Sequence, residues 1–201
     1  MKDAVRQKTT RDAILDATDR LLARYGYKKM TIDDLAQEVG IGKGSVYLHF
    51  SSKEEIALSH IDRIIDRLKE NLTVIAEKPL SVEERLRKML IERVIFRFDS
   101  VQHYSKSLDD LLSYVRPQLL ERRKRYFDEE SRIFAVVIAE GQNSSAIAEG
   151  DPVDISLTLL SATNSLLPYS LSTIELNDRN KILERTQKTA DLLIKGLSLE
   201  I

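Results

Sequence analysis

Three of the chain's seven glycines fall within five residues, at Gly40, Gly42 and Gly44, enclosing Lys43 and preceding Ser45. Glycines around a lysine and a hydroxyl could cradle phosphate, because bare backbone amides, a cation and a donor converge there. Two such cradles have defined spacing and context. A P-loop needs GxxxxGK[ST] directly after a strand, and a dinucleotide turn needs GxGxxG between strand and helix. Here Ser45 stands where the third glycine should be, and the preceding TIDDLAQEV reads as a capped helix. Neither cradle fits. Elsewhere Asp99, His103 and Ser105 lie close in sequence but lack the spacing of a hydrolytic triad, and no pair of carboxylates stands out. No catalytic residue is assigned. Three histidines without cysteine make a metal site improbable, so neither metal nor cofactor is expected. The absence of cysteine also excludes disulfides and a thiol-reactive sensor.

The glycines make sense as part of two crossing helices. Thr31 caps a helix over Ile32–Val39, with Asp33 and Asp34 in its first turn, and Gly40 stops it. Close crossing needs a small residue on the first helix, which Ala36 supplies. The turn favours a left-handed position, which Gly40 adopts without steric cost. The second helix must bury an aliphatic residue against the first, and Val46 does so, with Leu35 beside it. Ala36, Gly40 and Val46 at this spacing predict a helix-turn-helix. The exposed side of the second helix then offers Lys43, Gly44 and Ser45 to base edges. Lys43 suits guanine O6 and N7, Ser45 suits either base class, and Gly44 lets the backbone come close. Tyr47 and His49 suit phosphate, although Tyr47 could instead pack on the first helix and His49 could be a surface cap. Thr31 and Lys53 stand at helix N-termini, where amides and dipole favour phosphate.

The rest of the chain also reads as helix. Seven glycines and four prolines in 201 residues are too few for the turns of an all-β protein. Apolar spacing predicts a helix over 10–25 ended by Gly26, and one from Ser52 through Leu68. Further helices are expected over 82–98, 105–115, 117–140 (closed by Gly141), 152–169 and 178–197. Hydrophobic content of 42% with 31% charged residues suits a water-soluble chain with a sizeable core. No apolar run is long enough to span a membrane, and the N-terminus lacks a secretory h-region, so a cytoplasmic location is expected. The net charge of −1 hides a local bias: residues 1–30 hold eight basic against four acidic residues, a net of +4.

The segment TRDAILDATDRLLARYGYKKMTIDDLAQEVGIGKGSVYLHFSSKEEI resembles the DNA-binding domain of the TetR family of bacterial transcriptional regulators. The resemblance covers about residues 9–57. It implies an all-α protein: a three-helix DNA-binding domain over 1–54, and a larger helical domain over 55–201 that binds a small ligand and dimerises. The implied partners are a palindromic operator in double-stranded DNA, an apolar or amphipathic effector, and a second copy of the chain. The implied function is a ligand-released repressor, not an enzyme. Alternatives keep the fold but make it an activator, or a carrier or enzyme for a hydrophobic metabolite. Phe96, His103, Tyr104, Tyr114, Phe127, Phe134 and Asn164 are candidates for a ligand pocket, although a helical stripe must pack somewhere and each aromatic taken singly favours the core. The last two helices offer Leu159, Ala162 and Leu166, and Ile182, Thr186, Ala190 and Leu193. These suit an intersubunit four-helix bundle, or alternatively packing within one subunit.

Overall fold

The computed structural model describes residues 9–198, all helices and connections, with no β-strand among them. Lys2, Arg6 and Lys8, part of the N-terminal basic bias, lie outside the described residues. Side-chain caps set most helix starts. Thr9 and Asp12 form a capping box at α1 (Thr10–Lys29), Thr31 and Asp34 at α2 (Ile32–Val39), and Ser81 and Glu84 at α5 (Val82–Val101). Ser52 accepts from the Glu55 amide at the start of α4 (Lys53–Ala76), and Asp178 from the Lys181 amide at α8 (Arg179–Leu197). Gly42 opens the short α3 (Lys43–Tyr47) without a side-chain cap. Gly40 ends α2 at φ 78°, ψ 34°, and its amide returns to the carbonyls of Ala36 and Gln37. Gly26, at φ 72°, interrupts α1, but one further turn follows before the helix closes.

Three expectations change. The two helices expected over 105–115 and 117–140 are one, α6 (Leu108–Asn143), with Pro117 inside it. Proline removes one amide and frees the carbonyl of residue 113, and Ser113, Arg116, Pro117 and Gln118 are all exposed, so the break lies on the solvent side of the helix. Gly141 does not close α6. It lies buried in the last turn, where an added Cβ would stand 2.5 Å from Ile147 Cγ1 and 2.8 Å from Val82 Cγ1. Helix α7 (Pro152–Ala162), capped by Asp151, stops well short of 169. Leu167 is extended at φ −80°, ψ 148°, as the residue before a proline prefers, and 3-10 turns at Asn164–Leu166 and Pro168–Ser170 replace the helix.

Two apolar cores result. The first joins α1, α2, α3 and the start of α4 (Leu35, Ala36, Val46, Phe50, Ile56) to Phe98, Tyr104, Leu111 and Leu166. The second gathers the far halves of α4, α5 and α6 with α7 and α8 around Leu68, Leu86, Phe134, Leu160 and Ile194. Gly141→Ala should therefore overpack the second core and lower stability by about 1–3 kcal/mol. Urea denaturation measures this, and an unchanged midpoint would show that the turn after α6 yields freely.

Candidate functional site

One end of the molecule presents α3. Val46 points inward, fully buried, and Phe50 follows it at 2% exposure. Gly42, Lys43, Gly44, Tyr47, Leu48 and His49 face outward, with Leu48 84% and Tyr47 48% exposed. A Cβ added at Gly42 or Gly44 would meet nothing within 4 Å, so the chain's own packing does not call for glycine there. The Lys43 ammonium donates to Asp33 Oδ2 at 2.9 Å, and this bond and the carboxylate's charge raise its pKa. Both groups are solvent-exposed, so the pair is weak and open to exchange with another anion. Ser45 is half-buried. Thr31 Oγ accepts from the Asp34 amide and donates to its carboxylate at 2.7 Å, so this hydroxyl is committed to the cap. Lys53 turns inward. Its ammonium lies 4.3 Å from the centre of the Tyr27 ring and donates to the Lys28 carbonyl at 3.4 Å, and burial lowers its pKa. Sequence spacing gave no sign of Arg11. Its guanidinium covers the Phe50 ring at 4.4 Å and donates to the His49 carbonyl and Ser59 Oγ, tying α1 to α4 and to the turn after α3.

The second feature is a cavity of about 340 Å³, partly open to solvent. Ile61, Ile64 and Ile65 of α4 form one wall, and Leu108, Leu111, Leu112 and Leu119 of α6 another. Tyr104, Tyr126, Phe127 and the Pro168–Ser170 turn complete it, with Arg97, Arg116 and Arg123. Behind Arg97 lies a buried charge network. Arg93 and Glu130 are fully buried and paired at 2.8 Å, and Arg97 binds the other oxygen of Glu130. Arg93 also donates to the Leu160 carbonyl, Thr163 Oγ and Asn164 Oδ1, which pins the end of α7 to α5 and α6. Burial lowers the Arg93 pKa to about 10, with Glu130 opposing the fall, so it stays charged at neutral pH. Glu130 lies 37 residues from Arg93, and no local pattern could have linked them.

Similarity to known proteins follows the same division. The model of the family described as "Bacterial regulatory proteins, tetR family" matches residues 14–59, the segment that folds into α1, α2, α3 and the start of α4. Over these residues the chain carries a TetR-family DNA-binding domain. It is 22% identical over 193 residues to the fatty acid metabolism regulator protein of Bacillus subtilis, covering 92% of this chain and 93% of the relative. It is 32% identical over 127 residues to the transcriptional repressor KstR2 of Mycolicibacterium smegmatis, covering 59% of this chain and 62% of that one. A solved TetR-family regulator from Pectobacterium atrosepticum shares the fold, with a TM-score of 0.74 at 18% identity over 99% of both chains.

The expected pocket residues separate. Tyr104 and Phe127 line the cavity. Phe96 and His103 border a second, polar cleft between α1 and α4, with Asp16, Asp19, His60 and Arg63. Tyr114 is 49% exposed and tilts against Tyr27, ring centroids 5.2 Å apart, and Phe134 is fully buried in the second core. Asn164 accepts from Arg93 and does not border the cavity. Asp99 is held by Arg179 and His103 by Asp19, so the Asp99, His103, Ser105 spacing assembles no triad. Of the candidate interface residues, Leu159, Leu166, Ile182, Thr186 and Ala190 are buried within the subunit, Leu193 is half-buried and Ala162 is exposed. The first five have almost no surface left for a partner.

His60 connects the cavity to the DNA-binding end. Its Nε2 lies 3.3 Å from the hydroxyl of cavity-lining Tyr104 and 3.4 Å from Asp19 of α1. Burial lowers its pKa to about 4. Asp19 opposes this, while Arg63, Arg67 and His103 add to it. The folded state therefore prefers neutral His60. Its contribution to stability is complete above the unfolded pKa near 6.5 and is lost between about 6.5 and 4, up to about 3 kcal/mol. Urea denaturation of wild type and His60→Asn across pH 4–8 isolates this. The wild type should lose more stability than the variant on acidification, and parallel curves would show that His60 does not titrate this way.

Proposed function

We propose that the protein is a homodimeric TetR-family repressor that leaves a palindromic operator when a small apolar or amphipathic effector occupies the cavity. The observation that carries it is the exposed, glycine-lightened start of α3, joined through α4 to the cavity wall. In this reading residues 1–54 form the DNA-binding domain and 55–201 the regulatory and dimerisation domain. Lys43, Gly44 and Ser45 read base edges, and Lys43 exchanges Asp33 for a base. Tyr47 and His49 hold phosphates through side chains, while Lys53 contributes its backbone amide at the start of α4; the amide and hydroxyl of Thr31 are both bonded to Asp34 and leave Thr31 without a free donor for phosphate. Two copies meet through the outer faces of α7 and α8, where Ala162 is exposed, Val153 is 41% exposed and Leu192 is 74% exposed. The mycobacterial relative is by name a repressor, which favours that sign of regulation. The protein works in the cytoplasm and catalyses no reaction.

An effector that displaces Tyr104 disturbs His60 and Asp19, and with them the seating of α1. Effector and operator must then weaken each other by the same factor. The test uses an operator selected from genomic fragments. Lys43→Ala should cost about 1–3 kcal/mol and relax preference at one position of each half-site. Tyr47→Phe should weaken binding to selected and scrambled duplexes alike. Fluorescence anisotropy reads both, and unchanged affinity and preference in Lys43→Ala would overturn the assignment of base reading to α3.

A further inference from the structure

The cavity wall contains three guanidinium groups and no carboxylate. Among the described residues, no ion pair joins Arg116 or Arg123 to an acid; Arg123 lies over the rings of Phe127 and Tyr169, each at 5.3 Å. Arg97 is 8% exposed and shares the single carboxylate of Glu130 with fully buried Arg93. Two buried cations thus face one anion. The Nε of Arg97 is buried without a hydrogen-bond partner. An unmade charged donor and an uncompensated buried charge are both costly, and an anion entering the cavity relieves both. The remaining surface, from Ile61 and Ile65 across to Leu111 and Leu119, is hydrocarbon.

We infer that the cavity takes an amphipathic anion: one carboxylate or phosphate on an apolar tail, with the head group on Arg97 and the tail between α4 and α6. Arg123 faces the same space and adds attraction as the anion enters. This inference rests on the reading of the cavity as the effector site, and narrows that effector to one charge class.

Calorimetric titration of the full chain with decanoate, decyl phosphate, decanol and decyltrimethylammonium, each below its micellar concentration, tests it. Both anions should bind at least roughly tenfold more tightly than decanol, and the ammonium more weakly still. The stronger of the two anions identifies the head group as carboxylate or phosphate. Arg97→Gln leaves Arg93 and Glu130 paired one to one, so the core stays balanced. It should cost decanoate roughly ten- to a hundredfold in affinity and leave decanol unchanged. Arg123→Gln, outside the buried network, gives a second reading and should weaken both anions but not decanol. Equal binding of decanol and decanoate overturns the anionic class, and an anion preference that survives Arg97→Gln undiminished overturns the seating of the head group on Arg97; either leaves the effector-site reading intact. Failure of all four probes to bind a chain that still selects its operator overturns the effector-site reading itself, and this inference with it.

Discussion

Helix α4 belongs to both ends of the molecule. Its first turn lies beside the DNA-binding helices, with Lys53 against Tyr27. Its middle supplies Ile61, Ile64 and Ile65 to the cavity wall, and its last turns place Leu68 and Leu72 in the second core. At 24 residues it spans roughly 36 Å, and it contains neither proline nor glycine. Such a helix has no residue that favours a sharp kink, so it runs unbroken from one end of the molecule to the other. Side-chain bonds fasten neighbours to it: Arg63 holds Asp16 of α1 at 2.6 Å, Arg11 reaches Ser59, and Asp62 takes Arg125 and Tyr126 from α6. These bonds tie α4 to α1 on one side and to α6 on the other, so the cavity wall and the DNA-binding end share one element.

The cavity in turn depends on the Arg93–Glu130 pair. Replacing a buried ion pair by hydrocarbon is often neutral or stabilising, so such a pair is poor evidence of stability alone. Its geometry is the more informative feature. Arg93 fixes the end of α7 through three oxygens, and the Pro168–Ser170 turn that lines the cavity follows a few residues later. Glu130 keeps Arg97 beside the cavity. The same pair that orders three helices leaves one cation incompletely matched.

What could be read from sequence was what is decided locally. Caps at Thr31, Ser81 and Asp151 depend on a side chain and an amide a few residues away, and Gly40 on its own backbone angles. The turn between α2 and α3 was legible because three size constraints, at Ala36, Gly40 and Val46, coincide within eleven residues. Other features depend on what lies opposite. Proline inside α6 is tolerated because that side meets water, and Gly141 answers Ile147 and Val82 across a turn and a helix. The stripe Ile182, Thr186, Ala190 suits a partner's helix and its own core equally well, and here the core takes it. Aromatic spacing likewise gave Tyr104, Tyr114 and Phe134 the same standing, whereas packing sends one to the cavity, one to Tyr27 and one to the second core.

The central claim is that α3 reads a defined sequence in duplex DNA as one of two symmetric heads. Selection of bound fragments from a random duplex library, followed by titration of the selected and a scrambled duplex between 50 and 200 mM salt, measures it most directly. The account predicts two half-sites related by two-fold symmetry, about one or a few helical turns apart. It also predicts at least a roughly thousandfold preference over the scrambled duplex, with both affinities falling as salt rises. No enrichment, or equal affinity for the selected and scrambled duplexes at every salt concentration, would contradict it.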